Sequence, residues 1–240
     1  MSHIVAFGTS KGGSGKTSVA VNLGVAMARL GRNVVILDAD VMMANVGLML
    51  GLEGQKTTLH DVLAGEAQPS RAIYRAPEGV KVIPGGVVLE GVRKAKLERL
   101  KNVVQFLKNK FEYVLIDVPS GLDRDAIAAM SLATNMVLVV TPDIAALSNA
   151  IKTKLVAEKL GVKLIGIIIT RATGKDPDIP ETQVSATLEL PVLAVIPEDS
   201  ALRHSSSIGE PVVTHNPKSP SAMEFKRLAL NFKVGGKSED

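Results

Sequence analysis

A three-layer α/β/α domain with a mostly parallel central sheet is the fold class this sequence predicts, on three observations. Short runs rich in Val, Ile and Leu recur along the 240 residues without polar alternation, as strands buried on both faces of a parallel sheet require. Longer stretches of helical periodicity separate them, the pattern of repeated strand-helix-strand units. A glycine-rich segment then joins the first apolar run to the first helical pattern. No repeat, low-complexity stretch or linker divides the chain. We therefore expect one domain over residues 1–234, with 235–240 a disordered tail.

In chain order, the first strand is expected over 3–9, and a helix over 16–31 carries Val19, Ala20, Leu23, Met27 and Leu30 at helical spacing. The apolar run 33–38 makes the second strand. Helical patterns follow at 44–51 and 57–64, before a strand at 80–84. A long helix is expected over 94–110, ending ahead of the strand 112–117. Helix 124–132, strand 135–141, helix 144–160 and strand 163–170 repeat the unit. Helix 180–189, strand 192–196 and helices 199–208 and 220–233 complete it. In the last helix Phe225, Leu228 and Phe232 fall at spacings of three and four, the core face of an amphipathic helix.

The glycine-rich segment carries the first chemistry. Residues 11–17 read Lys11, Gly12, Gly13, Ser14, Gly15, Lys16, Thr17, with Ser18 next. Glycines let the backbone turn tightly and aim successive N–H groups at an anion, and the helix that follows adds its positive end. A lysine and a hydroxyl at the helix start suit phosphates and Mg²⁺ respectively. The strict phosphate-loop pattern is not met, because its first glycine is replaced by Ser10 and a second lysine stands at Lys11.

Ligands in a parallel sheet collect beyond the carboxyl ends of the strands, and acidic residues stand at two such ends. Asp38 and Asp40 close the run 33–38. Asp117 closes the run 113–117 and leads into Val118, Pro119, Ser120 and Gly121. An apolar strand ending in Asp next to a phosphate loop is a Mg²⁺ site, direct or through water. Asp38 reads equally well as a turn or helix cap.

Composition narrows the class. The chain has no cysteine, which excludes a disulfide framework and a thiolate metal site. Its aliphatic runs are too short to span a bilayer, and the first strand begins so early that no signal segment is expected. The net charge of +4 is a mild basic excess, and the scarcity of aromatic residues leaves no stacking platform for single strands. A cytoplasmic protein, at most peripheral to a membrane, is the expectation.

The segment from Lys11 to Thr17 resembles the deviant phosphate loop of the MinD/ParA group of P-loop ATPases, and the likeness extends over most of the chain, closest to its archaeal-type members. Leu37 to Asp40 with Ala44, Asn45 and Leu48 is similar to the family's first switch. Asp117 to Gly121 is similar to the second. The resemblance implies ATP or ADP with Mg²⁺ as the bound group, Lys16 on the phosphates, and Thr17, Asp40 and Asp117 serving the metal. It makes Lys11, Lys16 and Asp40 the catalytic residues, with Asp40 orienting the attacking water and Lys11 reaching across an ATP-dependent homodimer to the partner's nucleotide. Pro197, Glu198 and Asp199 match its adenine-side loop. Thr170 and Arg171 occupy the place where the family usually has Asn-Arg, the Asn contacting adenine, and threonine lacks the amide's paired donor and acceptor.

What the resemblance implies about activity is slow ATP hydrolysis, stimulated by a protein partner, in an ATP-driven dimerisation switch that positions a cell-division site or surface structure. An alternative is ParA-like partitioning of DNA, for which the basic run Arg93, Lys94, Lys96, Arg99, Lys101, Lys108 and Lys110 is the candidate surface. A membrane surface would instead use the last helix, through Met223, Leu230 and Val234 with Lys226, Arg227 and Lys233. An iron–sulfur carrier of the same superfamily is disfavoured because no cysteine is present. A small-molecule kinase lacks a recognisable second-substrate lid.

Overall fold

The computed structural model describes residues 2–9, 12–86 and 89–234. Eight strands form one sheet: β1 (His3–Gly8), β2 (Val34–Asp38), β3 (Tyr74–Arg75), β4 (Lys81–Ile83), β5 (Tyr113–Asp117), β6 (Asn135–Val140), β7 (Lys163–Ala172) and β8 (Val192–Pro197). Their spatial order is β3-β4-β2-β5-β1-β6-β7-β8, and every neighbouring pair is parallel except β3 with β4.

Alternate residues of the central strand show why its sequence is apolar throughout. Val5 and Phe7 enter a core with Val19 and Leu23 of α1 (Lys16–Arg29) and Phe225 and Leu228 of α10 (Pro220–Asn231). Ile4 and Ala6 enter the opposite core with Val103 and Leu107 of α4 (Leu100–Lys108) and Ala126 of α5 (Arg124–Met130). A strand covered on both faces has no position where a polar side chain would meet water. Helix α1 lies close against the sheet because Gly24 has no side chain: a Cβ there would stand 2.7 Å from Ile36 Cδ1.

The remaining helices are α2 (Leu59–Ala64), α3 (Leu89–Lys94), α6 (Ile144–Lys159), α7 (Glu181–Leu188), α8 (Ser200–Ser207) and α9 (Val212–His215). Several are fastened at their starts by their own side chains. Asp123, Asp143, Asp199 and Ser219 each accept a hydrogen bond from a first-turn N–H, satisfying a donor the helix cannot pair internally.

Two expectations need correction, and two short elements were not expected. The pattern over 94–110 is not one helix: α3 ends at Lys94, a 3-10 turn spans Leu97–Arg99, and α4 starts at Leu100. The Leu63 carbonyl, in the last turn of α2, accepts from both the Lys96 N–H and the Arg99 guanidinium, which draws the chain across the end of α2. The basic residues of that run consequently share no single helical face. The pattern at 44–51 reduces to one 3-10 turn, Leu48–Leu50, because the Asp38 carboxylate takes the Val46 N–H and holds the preceding backbone off the helical path. Strand β3 and the single turn α9 carry too few residues for any periodicity to show. Phe225, Leu228 and Phe232 are buried, as core residues of the last helix. Residues 235–240 lie outside the described residues.

Candidate functional site

The carboxyl ends of β1, β2 and β5 lie side by side, with Phe7 and Asp38 both in register with Asp117. Between them the chain leaves β1, turns through Gly13 and Gly15, and enters α1. Gly15 is the residue preceding the helix, at φ 81°, a left-handed conformation that glycine adopts without steric cost. No acidic residue stands in the first turn of α1, so its positive end is unneutralised by the helix itself.

Lys16, the first residue of α1, is buried at 5 % exposure, and its Nζ lies 2.6 Å from Asp117 Oδ1. The Thr17 hydroxyl donates to Asp117 Oδ2 at 2.8 Å. One carboxylate thus gathers an ammonium and a hydroxyl from consecutive residues of a helix start. An ion pair taken out of water this completely is costly to break from one side.

Asp38 is fully buried beside them. Burial, with the Asp117 charge next to it, pushes its carboxyl up to about 8. Near neutral pH the group is mostly protonated, and the buried cluster reduces to one cation, one anion and one neutral acid. Asp38 Oδ2 accepts from the Val46 N–H at 3.0 Å and Oδ1 from the Asp40 N–H at 3.3 Å. Asp38 therefore combines both sequence readings, a turn cap that also stands inside the charged cluster. Asp40 lies past the strand end, half-buried, with Oδ1 accepting from the Met43 N–H at 2.9 Å. The second acidic segment is tied to the first turn of the loop, because the Gly121 N–H donates to the Thr9 carbonyl.

Ser14 is buried, and its hydroxyl has no hydrogen-bond partner among the described residues. A hydroxyl withdrawn from water and left without a partner costs free energy unless a ligand supplies one. The donor set fits a phosphate: an ammonium, two hydroxyls and a helix start. Asp117, Asp38 and the Thr17 hydroxyl are hard oxygen groups of the kind Mg²⁺ selects.

A cavity of about 190 Å³ opens beside this cluster between α1, the end of β7 and α8. Gly15, Ser18, Thr170, Arg171, Pro197, Glu198 and Asp199 all line it. Their polar atoms, however, serve the protein. The Thr170 hydroxyl lies 2.6 Å from the Ser14 carbonyl and 3.2 Å from that of Val140. Glu198 pairs with Arg203. Asp199 accepts from Ala201 N–H, Ser221 N–H and the Ser221 hydroxyl. Burial alone would raise the Asp199 carboxyl, but hydrogen bonds from Ser221, Ala201 and Ser219 together outweigh it and hold the group below its usual value. Arg171 is exposed, at φ 55°, a left-handed conformation unusual for a residue with a side chain.

The sequence reading missed parts of this cavity. Leu202, Arg203 and Ser206 of α8 and Phe225 of α10 line it, yet only the packing of two distant helices brings them there. Asn22 was also passed over; it is fully buried in α1, donating to the Ser18 carbonyl and accepting from the Val213 N–H. A lone amide in an otherwise apolar helical stretch was the available signal. Lys11 lies outside the described residues, and Gly12 and Gly13 are exposed.

Comparison with known proteins bears on the fold and the family. Residues 1–233 match the model of the ParA family, described as the NUBPL iron-transfer P-loop NTPase. An uncharacterized ATP-binding protein of Methanocaldococcus jannaschii is 40% identical over 239 residues, covering 100% of this chain and 90% of that one. The cell division ATPase MinD of Pyrococcus furiosus superposes with a TM-score of 0.93 at 42% identity, over 96% of this chain and 98% of that one. The septum site-determining protein MinD of Pyrococcus horikoshii, solved with Mg-ADP, gives 0.92 at 40% identity, over 95% of each chain.

Proposed function

The chain belongs to the ParA/MinD family of P-loop NTPases, and on that premise we propose that it is a Mg²⁺-dependent ATPase whose ATP-bound form is a dimer and whose work is spatial positioning of the MinD kind. The observation that supports this reading best is the convergence of Lys16, Thr17 and Asp117 at a helix start, beside the unpartnered hydroxyl of Ser14.

In this reading Lys16 exchanges its Asp117 partner for phosphate oxygens, a trade of one buried charge pair for another. Thr17 and Asp117 would hold Mg²⁺, whose charge would offset that of the phosphates. Asp40, half-exposed just past β2, orients the attacking water. Little covalent chemistry is asked of the protein, so positioning and electrostatics carry the rate and turnover is slow until a partner completes the site. Lys11 supplies charge in trans across the dimer. The description of the matched model names iron transfer; with no cysteine in the chain, thiolate chemistry for that role is missing, and the ATPase switch is the better-supported reading.

Calorimetry and light scattering together test it. Mg·ATP affinity is expected to fall below detection in Lys16→Ala and in Asp117→Ala, since each removes a charge that offsets the triphosphate or its metal. Lys11→Ala is expected to bind Mg·ATP normally yet remain monomeric in an Asp40→Ala background, where the parent dimerises. Unchanged affinity in the first two variants overturns the site; ATP-dependent dimers of the third overturn the trans role.

A further inference from the structure

Thr170 sits near the end of β7 with its side chain turned toward the glycine-rich loop that precedes α1. Its hydroxyl is buried and 2.6 Å from the Ser14 carbonyl oxygen, with the Val140 carbonyl of β6 as a second acceptor at 3.2 Å. A hydroxyl has one proton to donate, and two carbonyls compete for it. The threonine thereby links the glycine-rich loop to two strands of the sheet, although 156 residues of sequence separate it from Ser14.

The consequence follows from the geometry of one peptide bond. The Ser14 C=O and the Gly15 N–H belong to the same planar trans unit and point to opposite sides of it. Fixing the carbonyl toward Thr170 aims the Gly15 N–H away from Thr170, which on the nucleotide reading is where a phosphate would be met. Gly15 packs against Thr170, where a Cβ would stand at an ordinary contact distance of 3.8 Å from Thr170 Cβ and Cγ2, so its backbone conformation and not space is what calls for glycine. Its left-handed φ of 81° gives this peptide unit an orientation that ordinary residues rarely hold. A glycine-rich loop is the segment least able to hold one peptide orientation by itself, and an external hydrogen bond is the means the structure supplies.

We propose that Thr170 is a positioning residue of the phosphate loop: by holding the Ser14 carbonyl it presents the Gly15 N–H to phosphate, and it does not read the base. The proposal rests on the nucleotide-binding reading above and narrows one part of it. The same bond that makes Thr170 useful to the phosphate side spends its only donor, so adenine and guanine meet no discriminating proton from this residue.

Titration calorimetry of Mg·ATP, Mg·GTP and adenosine with wild type, Thr170→Val and Thr170→Ser is the test, accompanied by amide hydrogen exchange of the nucleotide-free proteins. Thr170→Val removes the hydroxyl at nearly constant shape and is expected to weaken ATP and GTP by the same factor, about 10-fold. The ATP-to-GTP ratio and the affinity for adenosine stay where they were. Thr170→Ser retains the hydroxyl and restores triphosphate binding. Exchange at residues 12–17 is faster in Thr170→Val than in wild type and normal in Thr170→Ser, a readout that needs no nucleotide. A shift of the ATP-to-GTP ratio in Thr170→Val, wild-type affinity for both triphosphates, or unaltered loop exchange overturns the proposal. Failure of the nucleotide reading shows elsewhere, as wild type that binds neither triphosphate. If Thr170→Val does not fold, Thr170→Ser decides: loss of triphosphate affinity with the hydroxyl still present overturns the assignment.

Discussion

The two halves of the candidate site are built on opposite principles. On the phosphate side, at the ends of β1, β2 and β5, ionisable groups are buried and converge. Lys16, Asp117 and Asp38 are at most 5 % exposed, and the Ser14 hydroxyl has no partner among the described residues. On the base side, between β7, β8 and α8, the polar groups that line the cavity are already committed to the protein. Thr170 holds the loop, Asp199 caps α8 and fastens Ser221, and Glu198 pairs with Arg203. A buried ion pair can exchange one member's partner for a ligand of like charge, and the Ser14 hydroxyl has no partner among the described residues to give up, whereas groups held by several bonds within the protein add shape and little selectivity. On the proposed nucleotide reading, the contrast means that chemistry would select the phosphates and shape would mainly accommodate the base.

The largest effect expected to sharpen this contrast lies on the phosphate side. Asp40→Ala should lower ATP turnover by roughly 100-fold or more, the range for a residue that handles the attacking water, while Mg·ATP affinity stays near wild type. Single-turnover hydrolysis alongside calorimetry separates the two quantities. Wild-type turnover in the variant would assign the water to another residue.

A second, smaller effect concerns the buried acid. The Asp38 carboxyl titrates near 8 in the folded chain against 3.8 in an unfolded one, so the native state keeps a proton that the unfolded state releases. Its contribution to stability is fully present below pH 3.8, declines as pH rises, and is lost above about 8. Urea unfolding without nucleotide or Mg²⁺ should therefore show wild-type stability falling between pH 5 and 8 relative to Asp38→Asn. Parallel pH profiles for the two proteins would mean that the carboxyl is not perturbed as its burial implies.

The smallest effect belongs to the base side and tests whether that half is structural. Asp199→Ala should cost about 1–2 kcal/mol of stability, from the lost helix cap and the released Ser221 contacts. The preference for ATP over GTP should not move. Thermal unfolding gives the first quantity and competition binding the second; a changed nucleotide preference at unaltered stability would make Asp199 a base contact after all.

Much of the phosphate side was legible because its parts are local. Gly12 to Thr17 lie within one strand-loop-helix unit, where spacing alone specifies geometry. Asp117 was found by the rule that strand ends collect ligands, a rule that needs only the strand to be recognised. The base side was legible only through resemblance, and its residues are shared between capping, pairing and lining. Nothing in Pro197 to Asp199 as a string says that Asp199 will face Ser221, 22 residues on.

The apolar runs determined the parallel sheet, since continuous Val and Ile strands are stable only when covered on both faces, and the glycine-rich segment determined where the first helix would present its positive end. Tertiary structure decided the rest. It broke the basic run at Lys96, because the Leu63 carbonyl offered a better partner than the next helical turn. It brought Asp38 against Asp117 and raised its proton affinity, an effect of burial and neighbouring charge that no linear spacing contains. And it turned Thr170 from a place in a motif into a contact on Ser14, because parallel strands distant in sequence end side by side and their polar side chains take whichever carbonyl the packing puts within reach.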